Sequence, residues 1–185
     1  MSVLVFGLLL WVAGHLFKRI LPGLRARLGE MPGKLIATIL ILAGVVLMVV
    51  GFRRAETVPV YAPLPGIGHL TDLLMLIAVF LYGVGHSKGR LRAYLRHPML
   101  TGTIVWAVAH LLVNGDKASL ILFGGIGVWA VVEIALINAQ SRWTPPPKGG
   151  LRGDAINLAI SLVIYGLIAG VHIWLGKNPF LGTYG

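Results

Sequence analysis

The sequence predicts an all-α polytopic membrane protein, with residues 1–185 forming one domain, a bundle of six transmembrane helices with both termini on the outer, periplasmic side. Three observations carry this reading. First, 57% of the 185 residues are hydrophobic and only 12% are charged, against about 45–50% and about 25% in soluble domains. Too little polar side chain remains to coat a water-facing surface, and the mean hydropathy of +0.86 agrees. Second, apolar stretches approaching the about 20 residues that cross a hydrocarbon core recur along the chain. Third, the lysines and arginines fall overwhelmingly in alternate connections. Soluble globular, disordered and collagen-like classes are excluded.

The spans follow in order as residues 2–17, 34–52, 69–85, 99–114, 118–139 and 155–175. The first begins without a cation, and no small-x-small cleavage site precedes Lys18, so it is expected to be retained rather than cleaved as a signal peptide. The first and fourth are short and must borrow flanking residues. In the fifth, Gly124, Gly125 and Gly127 suit close helix packing in lipid. Prolines fall between spans, as helix breakers should. Only Pro98 abuts one, at a first-turn position where proline is tolerated.

Orientation comes from the basic residues. Lys18, Arg19, Arg25, Arg27 and Lys34 follow or border span one. Lys88, Arg90, Arg92 and Arg96 follow span three, and Arg142, Lys148 and Arg152 follow span five. Only Arg53, Arg54, Lys117 and Lys177 lie on the other side, a division of 12 to 4. The positive-inside rule assigns the larger group to the cytoplasm. The net charge of +10 then reflects loops facing an anionic leaflet, and nucleic acid is not an expected partner.

Ionisable and polar residues within spans are costly and therefore candidate sites. His15 lies in span one, with Trp11 one turn before it. His110 lies in span four, sharing a face with Thr103, Trp106 and Asn114. His172 lies in span six with Ser161 and Tyr165, and Glu133 in span five, one turn after Trp129. His69 and Asp72 open span three, His86 closes it, and His97 stands at the start of span four. A plainer account exists for each: interfacial histidines bond water or headgroups, deeper ones join helices, and tryptophans pack. Glu133 needs a partner or a proton, and Lys18, Arg19, His15 and His97 are nearest by depth.

The chemistry open to these groups is limited. With no cysteine, thiolate ligation, iron–sulfur clusters and cysteine nucleophiles are excluded. Paired imidazoles on facing helices suit a bis-histidine haem, and apolar, aromatic and glycine neighbours suit a flat macrocycle. A proton relay would use a more continuous chain of His and Glu. No Ser–His–carboxylate grouping or HExxH spacing is present.

The stretch from Arg96-His97-Pro98-Met99-Leu100-Thr101-Gly102 through IVWAVAHLLVNGD to Asp116 resembles the NnrU family. So do GHLFKR around His15 and PLPGIGH ending at His69, in matching order and spacing. That family is associated with nitrite and nitric oxide metabolism in the bacterial inner membrane, and is similar to plant zeta-carotene isomerase, a membrane haem b protein. The resemblance implies haem b, with His15 and His110 as axial ligands, His69 as a further candidate, and Trp11 and Trp106 beside them. The isomerase has a cysteine one turn before its second histidine where this chain has Ala107, so a ligand exchange through that thiol is impossible here. The Arg96-His97-Pro98 motif also looks like one in isoprenylcysteine methyltransferases, a minor reading. Another reading is a non-catalytic accessory subunit of a respiratory or denitrification complex, or a homo-oligomer packed through glycine-rich faces.

Depth arithmetic complicates the ligand pair. His15 is expected on the cytoplasmic side of its span's centre and His110 on the outer side of its own. At about 1.5 Å per residue the offset is about 12 Å. By depth alone, His110 matches His69 or His172, and His15 matches His86 or His97.

Overall fold

Every apolar run folds as a helix, and the proline-rich run at 145–147 lies in a joint without regular secondary structure. The computed structural model describes residues 1–181. The helices are α1 (Ser2–Ile20), α2 (Pro22–Leu28), α3 (Glu30–Arg53), α4 (Gly68–Val84), α5 (Pro98–Val113), α6 (Lys117–Gln140) and α7 (Leu151–Trp174). Single 3-10 turns add Leu91–Ala93 and Pro179–Leu181. Among the described residues no strand forms. Helices α1, α3, α6 and α7 are long and apolar enough to cross a membrane, while α4 and α5, with 17 and 16 residues, are apolar but shorter.

Local chemistry sets the boundaries. Pro22 and Pro98 open α2 and α5, where the missing N–H costs nothing because first-turn donors have no helical partner. Asp116 caps α6, accepting the Ser119 N–H at 3.0 Å and the Ser119 hydroxyl at 2.5 Å. After one turn, α6 widens into a π-helical segment over Leu120–Gly124 before resuming an α-helical course from Gly125. The short α2 was not among the expected spans. It is a seven-residue link that carries Arg25, whose guanidinium bonds the Gly29 and Glu30 carbonyls.

Glycine determines how closely the helices approach. Where α1 and α3 cross, a Cβ at Gly7 would stand 2.6 Å from the Met48 nitrogen, and one at Gly44 would stand 2.7 Å from the Trp11 nitrogen. Only hydrogen fits at either position, so these backbones pack directly on each other. On α6, Gly125 meets Leu8 of α1 and Gly127 meets Ala107 of α5, so α6 lies between α1 and α5. Gly124 meets nothing within 4 Å and belongs to the π segment instead. Helices α4 and α5 pair along their length, and α7 packs chiefly on α4, where the Asn157 amide donates to the Phe80 carbonyl at 3.1 Å.

The three basic connections gather at one end. Arg19 bonds Gln140, Arg96 bonds the Ser141 carbonyl at 2.6 Å, and Asp154 accepts the Arg90 and Leu91 N–H groups. At the opposite end the long α3–α4 connection is tied down by Val60 and Tyr61 N–H bonds to the Gly115 carbonyl. The Tyr61 hydroxyl adds bonds to the Leu111 and Asn114 carbonyls.

Candidate functional site

Because α7 rests on α4, a gap opens between α7 and α5. It is a cavity of about 390 Å³, walled by α4, α5 and α7 and lined mostly by apolar side chains such as Met75, Val79 and Ile164. Ile160, Ile164 and Ile168 form one wall and are 36–53% exposed on the helix surface, so the cavity opens sideways onto the apolar flank of the bundle. Two imidazoles line it: His110 from α5 and His172 from α7.

The state of both rings follows from their hydrogen bonds. His110 Nδ1 lies 2.9 Å from the Trp106 carbonyl, and His172 Nδ1 lies 2.8 Å from the Ile168 carbonyl. A carbonyl only accepts, so each Nδ1 carries a proton, and in the neutral ring Nε2 is the nitrogen left with a lone pair. This is the arrangement that orients a metal-ligating imidazole. His110 is further held between Phe123, stacked at 4.4 Å and 25°, and Trp106 at 4.8 Å. Phe123 reaches it from the π-helical segment of α6.

The remaining sequence candidates separate into other groups. His15 does not line the cavity. Its ring sits against Trp11 at 4.0 Å and Trp129 at 4.8 Å, and its Nδ1 donates to the Trp11 carbonyl at 2.9 Å. Since His15 meets α6 at Trp129 and His110 meets it at Phe123, the two differ by six residues of that helix, about 9 Å along its axis. The two rings thus meet α6 at different levels, through Trp129 and Phe123. Trp106 lines the cavity and Trp11 does not. His69 is exposed at the start of α4, near Asp72, which the Tyr165 hydroxyl bonds from α7. His97 Nε2 lies 2.9 Å from Asn138 Oδ1, and with Arg96 on Ser141 it clamps the α4–α5 connection to the end of α6. The Arg96-His97-Pro98 motif is therefore a structural joint in this chain.

Glu133 finds its partner in Arg19, one of the four groups nearest by depth: the guanidinium Nε donates to Oε1 at 3.0 Å. Among the side chains not singled out from the sequence are Asn157, which lines the cavity, and Phe123, which packs on His110 outside that lining. Asn157 is an intramembrane amide and by the same cost argument could have been singled out. Phe123 could not, because nothing in LILFGG announces a π turn.

Fold and site define a class: a multi-pass α-helical membrane protein with a side-opening, histidine-lined cavity. The chain belongs to the NnrU family, whose model, described as NnrU protein, matches residues 3–179. No curated protein and no solved structure matches it.

Proposed function

We propose that this NnrU-family chain is a six-span protein of the bacterial inner membrane, with its basic loops in the cytoplasm, that binds haem b between α5 and α7. The observation that supports it most is the pair of imidazoles on facing helices, each with Nδ1 committed to its own helix and Nε2 free, lining one apolar cavity. The residues fit such a group in three respects. His110 and His172 supply two nitrogen ligands of the right tautomer. Trp106 and the aliphatic side chains of α4 and α7 supply the apolar walls a macrocycle needs. Lys177, whose backbone N–H bonds the His172 carbonyl at 2.8 Å, is a candidate cation for an anionic substituent.

When bound, the group supplies one-electron chemistry or Lewis acidity at iron. The chain's own residues do the rest. The Trp106 and Ile168 carbonyls hold the imidazoles in one tautomer, Phe123 fixes the His110 ring plane, and the apolar walls keep water away. This supports a redox or sensing role in nitrite and nitric oxide metabolism, the setting that the family resemblance implies. Isomerisation of a lipid-soluble polyene is a narrower version, supported by the sideways opening to the membrane. A non-catalytic accessory subunit is the second reading, favoured by the flank of α7 on which Gly166 and Gly170 meet nothing within 4 Å.

Purification after expression with ample haem, followed by a pyridine haemochrome assay, tests the proposal. Stoichiometric haem b is expected. A colourless, folded protein transfers the argument to the accessory reading.

A further inference from the structure

A second polar feature lies on the far side of α6 and takes no part in the cavity. Along the seam between α1 and α6, Trp11, His15 and Arg19 follow one another at four-residue spacing and so share a face. Opposite them, α6 presents Trp129, Glu133 and Gln140. At the basic end, Arg19 Nη1 donates to Gln140 Oε1 at 3.4 Å, and the Gln140 amide donates to the Arg19 carbonyl at 3.2 Å. Further in, Arg19 Nε holds Glu133 Oε1 at 3.0 Å. Innermost, the His15 ring stands edge-on to Trp129.

Within this seam two buried polar atoms have no hydrogen-bond partner among the described residues: Glu133 Oε2 and Trp129 Nε1. Glu133 is only 9% exposed, so bulk water does not satisfy its free oxygen. Leaving such groups unpaired costs about 1–3 kcal/mol each, more when charged. The two sit one turn apart on the same face of α6, one an acceptor and the other a donor. His15, whose Nδ1 donates to the Trp11 carbonyl, has in its neutral ring a second acceptor, Nε2, and its ring lies beside the indole. Two acceptors and one donor match a single water, which donates twice and accepts once, within the two to four polar partners that buried waters have.

Among the described residues, the neighbouring elements offer these two atoms no hydrogen-bond partner. Helix α3 presents Ala37 and Ile41 against Gly14, and its Lys34 is paired with Glu30. Arg25 of α2 is committed to the Gly29 and Glu30 carbonyls, and the π segment of α6, Leu120–Gly124, is apolar. From Gln140 to Trp129 the seam runs eleven residues, about 16 Å along the helix, roughly half of the hydrocarbon thickness of about 30 Å.

We propose that the α1–α6 seam is a water-binding port that leads from the basic face to Glu133, Trp129 and the edge of His15. The site takes water, and through water it gives the membrane interior a hydrogen-bonded connection to solvent.

The natural absence of cysteine makes single-cysteine scanning direct. The full chain is reconstituted in vesicles, and a membrane-impermeant, charged methanethiosulfonate is added on the basic-loop side. Gln140→Cys at the mouth and Trp129→Cys at the inner end are expected to be modified. Val128→Cys and Val132→Cys, on the exposed apolar flank, are expected to react more than about tenfold slower, because apolar surroundings keep a thiol protonated. An unreactive Trp129→Cys beside a reactive Gln140→Cys overturns the proposal, as does equal reactivity at all four. Unmodified protein in which tryptophan is ¹⁵N-labelled gives an independent reading. A water cross-peak to the Trp129 indole proton that disappears in Glu133→Leu supports the port. A cross-peak to lipid headgroup protons in its place, or none at all, overturns it.

Discussion

His15, His110 and His172 each commit one nitrogen to a carbonyl one turn back, and what distinguishes them is what surrounds the ring. For His110 and His172 it is a shared cavity, and for His15 it is a seam on the opposite side of α6. The sequence makes all three visible as costly polar groups, but pairing them needs the packing order of the helices, which hydropathy does not carry. Glu133 shows how far depth alone reaches. Four partners lie at its level, and the structure selects Arg19. Glu133→Gln removes the charge from this pair and leaves a partly buried guanidinium without its counter-ion, so stability in detergent is expected to fall by about 1–3 kcal/mol. Thermal unfolding measures this, and an equal loss from Glu56→Gln, at an exposed loop position, contradicts it. Asp116 makes a pH-dependent contribution. Burial pushes its carboxyl up, but the Ser119 hydroxyl and the Ser119 and Ala118 N–H groups outweigh that and hold it below its ordinary range. A lowered pKa contributes stability that is present above the unfolded value and is lost as pH falls through the folded one. Asp116→Ala is therefore expected to cost about 0.5–2 kcal/mol at neutral pH, as lost caps do. The gap to the wild type closes in acid, and a gap that stays constant with pH contradicts the account.

At the scale of elements, hydropathy and proline placement were enough to locate the long helices, because in lipid a backbone must satisfy itself by forming helix. Their ends match the apolar windows within a few residues, and Pro98 begins α5 as its first-turn role requires. Two elements were not legible. Helix α2 is too short and too basic to register as a span. The π segment of α6 depends on how Phe123 packs against His110 and Trp106, contacts that no local pattern encodes. Glycines were legible as a class but not one by one. A Cβ at Gly124 would meet nothing within 4 Å, whereas Gly7 and Gly44 sit where the backbones of α1 and α3 pack directly on each other. Gly44→Leu would force α1 and α3 apart, and overpacking costs about 1–3 kcal/mol even where side chains can yield. A loss at the upper end of that range or beyond is expected in detergent unfolding, with Gly124→Ala nearly neutral. The reverse order would mean that the two helices do not pack as described.

For the whole molecule, the charge division of the sequence becomes geometry: the three basic connections meet at one end, clamped by Arg96 on Ser141 and by Asp154 on Arg90. The proposed six crossings, with those loops in the cytoplasm, would leave both termini outside. Impermeant thiol reagents are expected to label Lys177→Cys from the outer face and Arg90→Cys only from the inner. Labelling of position 90 from outside contradicts the topology. Helix α6 divides the bundle, with the α1–α3 pair and the polar seam on one side and the α4–α5–α7 cavity on the other. Haem in that cavity is the central claim, and its most direct test is the dithionite-reduced minus oxidised spectrum of purified protein beside its histidine variants. The account predicts a sharp Soret band and split visible bands that are lost or shifted in His110→Ala and in His172→Ala, and unchanged in His86→Ala and His15→Ala. Bands that survive His172→Ala but vanish in His15→Ala would contradict it and move the second ligand across α6 to the pair that the family resemblance implies.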